Sequence, residues 1–347
     1  MGKVYLNHTG KLPFFQINTE TARNYYCSYC PQKFIDFNEF NNNIIIGDYL
    51  FYKTYSEQVT GKLHNMTSAK YMFYQDKNLK KVKLETPNLE TGDYMFYYCT
   101  SLDDLDIDTS KLTSAKYMFT GVPVEDLVER EKFNYNLLTN GTYTFYNTPI
   151  KKVQKNFDSL TIATGMFCGC GELTTVESSF PLVEDGYKMF SGCSKLEAAP
   201  ITPNLTDGQS MYYGCSSLTE FTHDLSNMTY APYMFQGCTN LRVFTSTLSL
   251  LGTTSDAFPC QSMFDGCKLN KASLIHLFNQ LMNIDVYSSS TYIVVGGDKD
   301  IALNPTDRAE IMSYFSEIMI DEGGASTVRG ILPTKNEKSW LVALQWN

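Results

Sequence analysis

The chain has 347 residues, with 28 Lys and Arg against 37 Asp and Glu for a formal net charge of −9, and 43% of it is apolar. That content supports a sizeable core and excludes a disordered chain. The acidic balance, with no basic stripe, argues against a partner whose phosphates must be neutralised, so no nucleic acid is expected.

The N-terminus, MGKVYLNHTGKLPFF, lacks a basic stretch followed by an apolar run and a small-residue cleavage site, and LQWN closes the chain without a sorting tail or lipidation box. A protein made in a cytosol with no evident secretory route is the expectation. The longest apolar runs, YIVV and WLVAL, are far too short to cross a bilayer, so no membrane insertion is expected. Residues 1–46 show no clear pattern and are read as an N-terminal segment that caps or docks. Within them, NYYCSYC at 24–30 reads as a worn repeat, since Cys27 and Cys30 form a single CxxC with only His8 near in sequence and a zinc site wants four ligands.

From residue 47 to 268 one unit recurs. Met-Phe or a relative stands at Leu50-Phe51, Met72-Phe73, Met95-Phe96, Met118-Phe119, Thr144-Phe145, Met166-Phe167, Met189-Phe190, Met211-Tyr212, Met234-Phe235 and Met263-Phe264. The steps are 22, 23, 23, 26, 22, 23, 22, 23 and 29 residues. Leucine follows seven after the Met at Leu79, Leu102, Leu173, Leu196, Leu218 and Leu241, with an apolar residue three later at Val82, Leu105, Val176, Ala199, Phe221 and Phe244. LKKVKL, LDDLDI, LTTVES and LTEFTH therefore read as short strands with inward Leu and outward polar residues. A period of 20–29 residues with one strand per unit predicts a leucine-rich-repeat solenoid of about ten units. A single unit cannot bury its apolar side, so equivalent positions stack, with strands about 4.8 Å apart in a parallel sheet.

Cysteine falls four after the Met at Cys99, Cys170, Cys193, Cys215, Cys238 and Cys267. A tight turn inside the coil takes a small, weakly polar side chain where Leu would not fit. Disulfides are the alternative, but Cβ vectors of stacked copies run parallel, and Asp76 and Val122 flank Cys99 in the ladder. A structural ladder of free thiols is preferred.

Residues 269–347 read as an α/β module that caps the array. Leu274, Leu277, Phe278 and Leu281 recur at helical spacing; TYIVV is a strand; Asn304 and Pro305 start a second helix that Gly323-Gly324 stops; SWLVALQW is a final strand.

The tract MF-x-x-C-x-x-L, whole in MFCGCGEL, MFSGCSKL and MFQGCTNL, resembles the BspA-like leucine-rich repeats and the related Met-Phe surface-protein repeats. The resemblance implies a right-handed solenoid and a role in attachment or protein recognition. Members occur in bacterial and protist surface proteins and in tail proteins of phages of gut bacteria. The C-terminal module resembles one found behind such repeats in phage and Bacteroidetes proteins.

No catalytic box is found. His8, His64, His223 and His276 are scattered, with His276 taken as a surface residue, and neither a phosphate loop nor a GxGxxG occurs. SLDDLDIDTSK lacks the glycine and distal glutamate of a calcium loop, and its Asp103, Asp104 and Asp106 fall on outward strand positions beside Lys80, Lys81 and Lys83, which suggests a Lys–Asp ladder between strands. With Thr175, Glu177, Glu220 and Arg242 these residues form the candidate binding face. A second candidate is the tyrosine row one before the Met, at Tyr49, Tyr71, Tyr94, Tyr117, Tyr143 and Tyr233, which either contacts sugars or protein or packs between coils, the latter being preferred. The reading is a non-enzymatic protein with no cofactor, foremost a phage virion tail component of the tail-fibre or receptor-binding type. Its partners would be a bacterial surface glycan or protein and other virion proteins, with a homo-oligomer left open. A bacterial or protist cell-surface adhesin is the alternative, and an enzyme with its site in the C-terminal module comes last.

Overall fold

The computed structural model describes residues 33–39, 43–253, 259–284, 291–298, 304–321, 327–334 and 339–346. NYYCSYC, His8 and Gly323-Gly324 lie outside the described residues. The chain divides into two compact units, Met1–Leu160 and Thr161–Asn347.

In the first unit, β1 (Phe34–Asp36), β2 (Gln58–Lys62), β3 (Lys81–Glu85) and β4 (Asp104–Asp106) form a parallel sheet in chain order. The register sets Ile35 beside Val59, Val59 beside Val82 and Val82 beside Leu105. All four are buried, and the residues between them point out. This is the period-two pattern that LKKVKL and LDDLDI display. β5 (Lys152–Val153) is the last strand of this unit.

The Met-Phe segment is a second hydrogen-bonded line. Phe51 N donates to Met72 O, Phe73 N to Met95 O, Phe96 N to Met118 O and Phe119 N to Thr144 O, at 2.9–3.0 Å. Two residues per coil have positive φ and turn the chain at this corner: the one before the Met (Tyr71, 56°; Tyr94, 58°) and the one three after it (Gln75, 56°; Tyr98, 53°). In the second unit Gly169, Gly192, Gly214, Gly237 and Gly266 take the latter place, because glycine enters that region without a Cβ penalty. That is why GC recurs in the motif. Phe51, Phe73, Phe96, Phe119 and Phe145 stack through the core with centroids 5.4–5.9 Å apart.

The second unit repeats the scheme with Phe167, Phe190, Tyr212, Phe235 and Phe264 stacked at 5.4–5.8 Å. Its repeat strands are short: β6 (Thr175–Val176), β7 (Glu220–Phe221) and β8 (Val243–Phe244), with Phe221 beside Phe244. Val176 and Ala199 are half-buried rather than core. LEAAPI forms no strand, because Pro200 removes a ladder donor.

The thiol row lies inside the coils, and each described cysteine is unbridged. Cys99 donates to Phe73 O, Cys193 to Phe167 O, Cys215 to Phe190 O, Cys238 to Tyr212 O and Cys267 to Phe235 O, at 3.1–3.2 Å. A cysteine here is small and donates to the previous coil, which a Leu could not do.

Beyond the repeats, β9 (Phe264–Leu269) joins a five-stranded sheet with β10 (Thr291–Gly297), β11 (Glu317–Asp321), β12 (Thr327–Pro333) and β13 (Ser339–Trp346), in the order β11-β12-β13-β10-β9. β10 runs parallel to β9 and β13, whereas β12 is antiparallel to β11 and β13. Helix α1 (Lys271–Asn283) starts at Asn270, whose side chain accepts from Ser273 N, and buries Leu274, Leu277, Phe278 and Leu281. Helix α2 (Pro305–Met312) is capped by Asn304, which accepts from Thr306 N and Asp307 N. The second helix thus begins where expected but stops at Met312, and SEIMI continues as β11 instead of helix. The antiparallel partner β12 sets the state of this short run, which periodicity alone leaves open.

Candidate recognition surface

In the first unit the outward face of β1–β4 carries charge in matched columns. Lys81 Nζ lies 2.8 Å and Lys83 Nζ 3.6 Å from Asp104 Oδ2, and Lys132 Nζ lies 2.8 Å from Asp106 Oδ1. Lys80 reaches Glu57 at 3.4 Å, and Lys33 reaches the same carboxylate at 2.7 Å. Nearly every partner sits one coil away, so parallel in-register stacking itself aligns opposite charges. The hydrogen bond from Lys81 holds the Asp104 carboxyl below its ordinary range, and Asp104 in turn raises Lys81. The hydrogen bond from Lys33, then that from Lys80, lowers Glu57. Being exposed and screened by water, each pair adds little stability. Asp103 is exposed beside them.

Lys80, Lys81, Lys83, Asp103, Asp104 and Asp106 therefore come together. Thr175, Glu177, Glu220 and Arg242 belong to the second unit. There Thr175 Oγ1 lies 3.3 Å from Thr174 Oγ1, Glu177 and Glu220 are exposed, and Arg242 is paired with Asp298 at the end of β10. Sequence reasoning missed Glu57, Lys33 and Lys132, whose pairings follow only from the register.

The tyrosine row of the first unit is a true column. Tyr49, Tyr71, Tyr94, Tyr117 and Tyr143 stack at 4.6–5.0 Å with interplanar angles of 4–17°. Beside it stands a second column that the sequence signalled through the third letter of LFY and MFY: Tyr52, Tyr74 and Tyr97 stack at 4.9–5.3 Å. Rings so stacked cover one another's faces and leave edges and hydroxyls outward, so the faces that would lie against a sugar are taken. Burial and the neighbouring phenols push Tyr94 up to about 12. Tyr233 does not extend the row. In the second unit the same place holds Gly165, Lys188, Ser210 and Ser262, and no ring stacks on Tyr233 among the described residues.

His276 is not the surface residue the sequence suggested. Its Nε2 donates to Ser246 O at 2.9 Å, with its ring 6.4 Å from that of Phe244. Ser273 and Gln280 on the same helix face accept from Phe244 N (2.9 Å) and Leu248 N (3.3 Å). His64 Nε2 lies 2.7 Å from Glu85 Oε2 and His223 Nε2 donates to Ala199 O at 2.8 Å. Among the described residues no group of three His, Cys, Asp or Glu is placed to hold a metal, and no helix is long and apolar enough to cross a membrane.

The chain is similar to two solved structures. One is a leucine-rich repeat protein from Eubacterium ventriosum, 17% identical, with 61% of this chain and 83% of that one covered and a TM-score of 0.32. The other is a leucine rich cell surface protein from Faecalibacterium prausnitzii, 15% identical, with 65% and 92% covered and a TM-score of 0.22. No curated protein matches. The BspA type leucine rich repeat region matches in six copies over residues 20–137 and 138–263. With most of its length in that repeat, and with parallel strands set one coil apart, the chain belongs to the BspA type leucine-rich-repeat family.

Proposed function

We propose that this is a non-enzymatic recognition protein of the cell-surface adhesin kind, which presents the outward face of its stacked coils to a macromolecule on another surface. The observation that carries the reading is the charge-matched face of β1–β4, held by a core in which every coil copies its neighbour. Rigid repetition of exposed side chains is what a binding surface requires, and loops are not needed to supply it. In this reading the repeat array has about ten units, and α1 with the five-stranded sheet serves as its C-terminal cap, with Ser273, His276 and Gln280 standing in for the backbone of a missing next coil. The virion-tail reading gains no support from the family match, which names the repeat and no particle.

Two measurements test the proposal. Antibody labelling of producing cells should place the chain on the envelope; label confined to phage particles would overturn surface display. Purified chain should bind bacterial cells or extracted surface material without changing it, whereas turnover of that material would sink the non-enzymatic assignment.

A further inference from the structure

Charge pairing continues to the last coil of the first unit, where Lys151 Nζ lies 2.7 Å from Glu125 Oε2. Beside the Asp106–Lys132 pair, however, lie the carboxamides of Asn134, Asn136, Gln154 and Asn156, around a pocket of about 260 Å3. The geometry points to this pocket as a subsite for one neutral sugar ring, which deepens the recognition reading above and rests on it.

The site is built from main chain held in place. Asn134 N donates to Thr109 Oγ1 at 2.7 Å, and Thr109 Oγ1 donates to Asn134 O at 2.9 Å, which fixes that stretch of backbone. Asn136 N donates to Asn134 Oδ1 at 2.9 Å, which orients that carboxamide and leaves its NH2 as a donor. Gln154 N is held by Glu129 Oε1 at 2.7 Å. The carboxamides of Asn136 and Asn156 make no hydrogen bond to other described residues. Phe133, 1% exposed, closes the floor.

Chemistry narrows the ligand. A carboxamide carries a donor and an acceptor side by side, as does a hydroxyl, so a ring of vicinal hydroxyls satisfies several amides at once. Glu131 and Lys155 at the rim have opposite charge, which favours neither an anion nor a cation. The volume lies below the range of pockets for drug-sized molecules and suits one ring rather than a chain. The step from Met118 to Thr144 is 26 residues, the longest in this unit, and this longer coil carries Glu131 and Phe133.

The test is saturation-transfer NMR on the full chain with methyl glycosides of glucose, galactose, mannose and N-acetylglucosamine, and with sialic acid as an anionic control. At least one neutral glycoside should bind saturably, the double variant N136A/N156A should weaken it at least tenfold, and unchanged circular dichroism should show that the variant folds. Asn136 and Asn156 are exposed, so the core does not depend on them. Binding to none of the glycosides, preference for sialic acid, or equal binding by the variant would overturn the assignment. If such a result comes with intact binding of bacterial cells by the same preparation, it removes the pocket and leaves the recognition reading standing.

Discussion

Asp76 occupies the place that cysteine fills in six other coils, and it is fully buried. Thr54, one coil earlier at the same place, donates to its Oδ2 at 2.5 Å, and Asn78 N donates to Oδ1 at 3.2 Å. Burial outweighs these bonds and raises the carboxyl from 3.8 to about 6. A folded-state value above the unfolded one means that the folded protein holds the proton more tightly. The contribution is therefore fully present below about pH 4 and is lost as the pH rises through about 6. Asp76→Asn keeps an acceptor for Thr54 without the charge. It should stabilise the first unit at pH 8 by about 1–3 kcal/mol and flatten the difference between pH 5 and pH 8, as read by urea unfolding. Tyr212 is the matching anomaly in the second unit, a phenol in a column of phenylalanines whose buried hydroxyl has no hydrogen-bond partner among the described residues. Tyr212→Phe removes only that oxygen and should raise the unfolding free energy by about 1 kcal/mol. Unchanged or lower stability would mean the hydroxyl is satisfied in solution.

Among the elements, α1 meets the edge of the last described repeat strand with side chains in place of backbone. Ser273, His276 and Gln280 are three and four residues apart, hence on one face, and meet Phe244 N, Ser246 O and Leu248 N. A carbonyl only accepts, so His276 carries its proton on Nε2. Ser273→Ala leaves the Phe244 amide buried without an acceptor and should cost about 1–3 kcal/mol, with faster hydrogen exchange at that amide than in the wild type. The helix itself was legible from Leu274, Leu277, Phe278 and Leu281, and its role was not, because polar residues beside an apolar stripe look alike whether they meet water or backbone. SEIMI could be read as helix for a related reason: a short apolar run takes its state from whatever lies beside it, here β12.

For the chain as a whole, periodicity was the readable quantity. The 23-residue step, the inward Leu and the Met-Phe corner are all local patterns that stacking repeats. The pairings along the charged columns depend on which coil lies beside which, and no single repeat contains that information. The cysteines give a test at this scale. Burial pushes the thiols of Cys99, Cys193, Cys215, Cys238 and Cys267 up, Cys238 to about 12, which leaves almost no thiolate at neutral pH. Native alkylation followed by peptide mapping should leave these five unlabelled until denaturant is added, with half-buried Cys168 modified first among the described cysteines. Labelling of the five at the rate of Cys168 would place the row at the surface.

The heptapeptide TSAKYMF occurs at 67–73 and again at 113–119, 46 residues on, which is two coils. In the first copy Ser68 donates to Asp48 of the preceding coil, and in the second Ser114 donates to Asp93, both at 2.6 Å. Crossing-over between the two stretches of gene would excise two coils and set Ser114 against Asp48 with the same bond. Loss of a fraction of a coil would strand donors on both sides of the cut. Recombination of this kind therefore changes the protein by whole coils, and natural variants that arise by it should differ in coil number while keeping the same face.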